Sequence, residues 1–144
     1  GRLLEVPTDD FFVDLKKDAA KSAFDRIVTG PSQRSDRIRR RYISGGGGDI
    51  YEAVLRAIAS TGPKLELKYE EIRYALREIV VAEDVPQKQE ITNVLDNMTK
   101  ICKEKIEGEP VLVYDREVST LFIADPFFAY YLKWSESNFV PDGT

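Results

Sequence analysis

The chain has 144 residues, of which 42% are hydrophobic and 10% aromatic. That is enough for one domain of about 100 residues with an appendage, or for one compact unit, and too little for a two-lobed enzyme. Its 21 Lys and Arg against 25 Asp and Glu give a net charge of −4, unevenly spread: residues 1–44 carry 10 basic and 7 acidic groups, residues 45–144 carry 11 and 18. Unspecific binding to a polyanion draws its free energy from cations neutralising phosphates, so the acidic second part weighs against nucleic acid as the default partner. With no charged-then-apolar leader, no apolar run of membrane-spanning length and a single cysteine, Cys102, the expectation is a soluble intracellular protein without disulfides or membrane contact.

The first predicted element starts at Val6-Pro7-Thr8-Asp9-Asp10 and runs as a helix through Phe11, Phe12, Leu15, Ala19, Ala23, Phe24 and Ile27, whose spacings of three and four make one apolar face. Thr29-Gly30-Pro31 should stop it, because glycine suits a left-handed cap and proline cannot continue the ladder. A second short helix is predicted from Ser35 to Ile43, carrying Arg34, Arg37, Arg39, Arg40 and Arg41 around Ile38, Tyr42 and Ile43. Residues 1–44 thus read as a helical segment. Gly45 to Gly48 read as a flexible joint, either an inserted linker or a native loop, since four glycines lose much backbone entropy on ordering.

Beyond the joint, Asp49 caps a helix through Ile50, Val54, Leu55 and Ile58 that ends at Ser60-Thr61-Gly62-Pro63. Leu65-Glu66-Leu67 alternates as a short strand. Lys68 to Val81 places Ile72, Leu76, Ile79 and Val80 on one face of a second helix. A third starts near Pro86, with Asp84 as its cap and Ile91, Val94, Leu95, Met98, Ile101 and Cys102 as its buried stripe. Val111-Leu112-Val113-Tyr114 and Thr120-Leu121-Phe122-Ile123 flank a charged tip, Asp115 to Ser119, as a hairpin. Asp125 and Pro126 then open a last helix rich in Phe127, Phe128, Tyr130, Tyr131, Leu132 and Trp134, too apolar to be satisfied by one face. The order from Asp49 (helix, helix, helix, strand, strand, helix) is that of a winged helix-turn-helix. The predicted fold is therefore mainly α with a small β-hairpin, an α+β class in which residues 49–136 form a winged-helix domain preceded by an amphipathic helical segment and followed by a loose tail, 137–144.

Residues Asp49 to Trp134 resemble the carboxy-terminal winged helix of archaeal-type and related STAND-class AAA ATPases. The likeness rests on the leading helix Ile50-Tyr51-Glu52-Ala53-Val54-Leu55-Arg56-Ala57-Ile58-Ala59 and on the aspartate-proline step in Leu121-Phe122-Ile123-Ala124-Asp125-Pro126-Phe127-Phe128. The resemblance implies a parent molecule that binds ATP and magnesium, with this piece relaying its state or docking a partner. The nucleotide-binding core has no counterpart here, because Gly45 to Gly48 lead into Asp49-Ile50 instead of the lysine and hydroxyl of a phosphate-binding loop. No cofactor and no enzyme activity are expected of this chain.

The chemistry points the same way. There is no histidine, so serine-histidine and cysteine-histidine catalysis are ruled out and the commonest metal ligand is missing. Cys102 sits on an apolar stripe, as a packed thiol does. The carboxylate pairs Asp9-Asp10, Glu70-Glu71 and Glu83-Asp84 follow no liganding pattern and read as solvated or helix-start charge. A protein partner, or a second copy, is expected at Phe127, Phe128, Tyr131 and Trp134 and at the guanidinium groups of Arg37, Arg39, Arg40 and Arg41. The alternative is sequence-specific duplex DNA binding through the helix near Pro86. Its polar face, Gln87, Gln89, Thr92, Asn93, Asn97 and Lys100, holds residue types that read base edges, with the hairpin tip on the backbone.

Overall fold

A computed structural model describes residues 17–31 and 38–137. Helix α1 covers 17–29. It is followed by strands β1 (Arg40–Arg41) and β2 (Gly47–Gly48), helix α2 (Ile50–Ser60), strand β3 (Glu66–Lys68), helix α3 (Tyr69–Ile79), a 3-10 turn (Ala82–Asp84) and helix α4 (Lys88–Glu104). Strands β4 (Leu112–Asp115) and β5 (Thr120–Ile123) and helix α5 (Pro126–Ser137) complete the described elements. Helices predominate over two small antiparallel sheets, in agreement with the α+β class.

Helix α2 is the centre. Asp49 accepts the Glu52 N–H at 3.1 Å, and Tyr51, Ala53, Val54, Leu55, Ala57, Ile58 and Ala59 are all buried. A helix apolar on most of its circumference needs neighbours on several sides, and α2 packs against α3, α4 and α5. The starts of α3 and α4 share one device. Glu71 takes the Lys68 N–H at 3.0 Å and Glu90 takes the Gln87 N–H at 2.8 Å, so each helix is closed by a carboxylate three residues in. In each case the other carboxylate oxygen receives a cation, Lys64 at 2.8 Å on Glu71 and Arg40 at 3.1 Å on Glu90. Asp84, expected to cap α4, stands in the 3-10 turn and serves Arg41 instead.

The three-stranded sheet has the order β3-β5-β4, every pair antiparallel. Leu67, Leu121 and Tyr114 lie in one cross-strand row and are buried, while Glu66, Phe122 and Val113 form the outward row, the period-two alternation that one covered face imposes. Thr99 fastens the sheet to α4. Its hydroxyl donates to the Leu95 carbonyl and accepts the Tyr114 N–H, both at 2.9 Å, inside the core. Cys102 is buried among the same side chains, and burial pushes its thiol pKa up.

Helix α1 ends where the glycine-proline signal put it, with Gly30 at φ +74 beneath the Tyr51 ring. Ala23 and Ile27 join the buried cluster formed by the rest of the chain. Phe11, Phe12 and Leu15 lie outside the described residues.

The structure corrects two expectations between residues 38 and 48. The predicted helix from Ser35 to Ile43 is absent across its described part, where Arg40–Arg41 is a strand, Tyr42 bridges to Val80, and Ile38 and Ile43 are exposed. The four glycines, expected as a flexible joint, form a turn and the second strand of a hairpin, pairing Arg40 with Gly48 and Arg41 with Gly47. Gly45 and Gly46 take φ values of +111 and +69. A Cβ on Gly47 would collide with the Arg40 carbonyl, and one on Gly48 with the Glu52 carboxylate and the Tyr42 hydroxyl. Close approach and left-handed backbone, rather than freedom, explain this run of glycine.

Candidate functional site

Of the basic segment, Arg39, Arg40 and Arg41 are described, and all three bond back to the body of the protein. Arg39 donates to the Gly47 carbonyl, and Arg40 donates to the Asp84 carbonyl at 2.8 Å as well as to Glu90. Arg41 engages Asp84 through three donors, its backbone N–H at 2.8 Å, Nε at 2.9 Å and Nη2 at 3.2 Å, a fork matched to both carboxylate oxygens. The Arg41 guanidinium beside Asp84 pulls the carboxyl pKa down to about 2. Hairpin and α3–α4 corner are further joined by the Ile43 N–H on the Ile79 carbonyl at 2.7 Å and the Val81 N–H on the Arg41 carbonyl at 3.0 Å. Arg40, its side chain largely covered and engaged within the chain, is corrected from partner-facing to structural, whereas Arg39 and Arg41 bond within the chain and remain exposed. Arg37 lies outside the described residues.

The aromatic helix divides into two faces. Phe128 is 0% exposed and, with Ala129 and Leu132, belongs to the core, which corrects its assignment as a docking residue. Phe127, Tyr130 and Trp134 face outward, Tyr130 at 60% and Trp134 at 51% exposure. Tyr131 lies between them and Phe24 of α1, with ring centroids 5.4 Å from Phe24 and 5.8 Å from Trp134, tilted in both cases. Together with Pro126 and the Lys17 and Lys21 edge of α1, these rings line an open groove of about 660 Å³ whose walls are mostly apolar. Burying such ring faces is among the larger single gains available to an association, which makes the groove a candidate docking surface.

The polar face of α4 is less open than expected. Asn97 donates to the Tyr51 hydroxyl at 2.9 Å in a half-buried position, and Thr92 turns its hydroxyl to the Lys88 carbonyl. Gln89 and Asn93 bond to each other at 3.3 Å and, like Gln87 and Lys100, are exposed. At the hairpin tip, Arg116 is held by Asp96 at 2.6 Å. Of the six residues expected to reach base edges, Asn97 and Thr92 are only half-exposed, and the Asn97 amide is engaged by Tyr51.

A second concavity, of about 810 Å³, was not anticipated from the sequence. Tyr69, Arg73 and Arg77, one turn apart on α3, form one wall. Val85, Pro86 and Lys88, leading into α4, form the other, with Val80 at the back. The spacing of four along α3 is the signal that could have revealed it, but the opposing wall comes from a different element. Among the described residues no cluster of three metal-ligating side chains occurs, and no helix is long and apolar enough to cross a membrane.

The chain matches no family model, no curated protein and no solved structure.

Proposed function

We propose that this chain is a non-catalytic winged-helix module, of the kind carried by AAA and STAND-class ATPases, acting through protein contacts. The element order α2-β3-α3-α4-β4-β5 and the sheet order β3-β5-β4 support the winged-helix reading, with the β4–β5 hairpin as the wing and α4 in the place of the recognition helix. The observation that carries the docking role is the groove along α5, where Phe127, Tyr130 and Trp134 stand exposed on a helix whose opposite face is already committed to the core. The occupant is an apolar segment of a partner protein.

The test is the double substitution Phe127→Ser with Trp134→Ser in the full chain, which leaves Phe128 and the core intact. Loss of the tight, stoichiometric complex with the parent ATPase core or another purified partner is expected, with an unchanged far-ultraviolet dichroism spectrum. Undiminished binding by the double variant would refute the groove, and concentration-dependent sedimentation of the unmutated chain alone would replace the partner with a second copy.

A second reading, duplex DNA binding through α4, is favoured by the outward Gln89, Asn93 and Lys100. A mobility shift at low salt that weakens as salt rises would support it, because each phosphate contact releases counterions. Absence of any shift at low salt would remove it.

A further inference from the structure

The cleft between α3 and the start of α4 has the makings of an anion site, and the geometry points to a small phosphorylated organic molecule as its ligand. Arg73 and Arg77 project from α3 and Lys88 from the facing turn, against a single carboxylate, Glu70, in the lining. Glu70 approaches Arg73 only at 3.6 Å, and Arg77 and Lys88 make no ion pair among the described residues. Three cations facing one space repel each other unless an anion enters, and guanidinium pairs offer their donors in the fork that phosphate oxygens accept. Two further features belong to the same space. The α4 helix begins at Lys88 in the lining, with the Gln87 N–H already taken by Glu90, so the side-chain cations carry the charge complementarity. Tyr69 lies in the wall, 5% exposed, with its ring under the Lys88 ammonium at 5.5 Å and its hydroxyl without a hydrogen-bond partner among the described residues.

Shape and charge separate a small ligand from a nucleic-acid strand. The site is a concavity of about 810 Å³, within the range of small-molecule pockets, and not a convex ridge that follows a backbone. Residues 45–144 carry 11 basic against 18 acidic groups, a poor surface for tracking a polyanion beyond one phosphate. Val80, Val85 and Pro86 provide an apolar wall beside the cations, suited to the organic part of a phosphate ester.

The experiment is a titration of the full, nitrogen-15-labelled chain with phenyl phosphate at low ionic strength, followed by amide chemical shifts, with phenol and a short DNA duplex as parallel probes. Saturable shifts confined to the amides of residues 69–77 and 87–90 with phenyl phosphate, and none with phenol, are expected. The double variant Arg73→Gln with Arg77→Gln should bind about tenfold or more weakly, since charged hydrogen bonds are lost. Lys88→Gln should weaken binding by itself, and both variants change exposed side chains, so unshifted α2 resonances will verify the fold. No saturable shift, or equal affinity in the double variant, would overturn the site. A duplex that perturbs these amides where phenyl phosphate does not would overturn the small-ligand assignment in favour of a nucleic-acid contact.

Discussion

Asp84 holds Arg41 with both carboxylate oxygens while its backbone carbonyl receives Arg40, so one residue of a 3-10 turn ties a hairpin to the corner between two helices. Its carboxyl pKa falls from 3.8 to about 2, led by the hydrogen bond from Arg41. A depressed folded-state pKa means stabilisation that is complete above 3.8 and is lost as the pH drops toward about 2. Asp84→Asn should therefore be less stable than the unmutated chain at pH 7, with the gap closing as the pH is lowered through that window, as followed by urea unfolding. A gap that stays constant down to pH 2 would separate the effect from charge. Gly47 provides a second residue-scale test. Because its Cβ would meet a main-chain carbonyl that cannot rotate away, Gly47→Ala should cost about 1–3 kcal/mol in denaturant unfolding. Gly48→Ala should cost less, since one of the groups it meets is the movable end of Glu52. Composition alone made this run resemble a linker. The close approaches that require glycine are made by Arg40, Tyr42 and Glu52, and their distances are not written in local sequence.

At the scale of elements, α5 shows what aromatic density conceals. Phe128 and Leu132 are spaced by four and turn to the core, whereas Phe127, Tyr130 and Trp134 follow the three-and-four spacing of the opposite face. Phe128→Ala should cost about 3–5 kcal/mol and Trp134→Ala about 0.5 kcal/mol or less, a contrast that thermal unfolding resolves. Helix α4 offers a parallel case. Thr99→Val keeps the shape but strands the Tyr114 N–H in the core, and should cost about 1–3 kcal/mol in chemical denaturation. The helices from Asp49 onward, the hairpin and the Asp125 cap were legible because caps, periodicity and turn residues act within a few positions. Asp125 does accept the Phe127 N–H at 2.9 Å. The helix forecast for Ser35 to Ile43 failed over its described part, residues 38–43, because residue propensity was overruled by tertiary pairing, Tyr42 with Val80 and Arg41 with Asp84.

Over the whole molecule, α2 is the post on which α3, α4 and α5 lean, and Ala23 and Ile27 bring α1 into the same buried cluster. The α+β class could be read from pattern alone, and so could the face of α5 that remains open once its spacing is respected. The cleft between α3 and α4 could not, because Arg73 and Lys88 line one space only when those two helices are folded together. Nor could the fate of the basic segment, whose arginines find Asp84 and Glu90 more than forty positions away.

The clasp around Asp84 also determines where the chain can be cut. Trimming to Asp49, the boundary that the glycines suggest, would strip the strand from beside Val80, orphan the Ile79 carbonyl and leave Asp84 and Glu90 without their cations. A fragment starting there should melt earlier than one that retains residue 38 onward, so a scissor point set by composition would fall inside a cooperative unit.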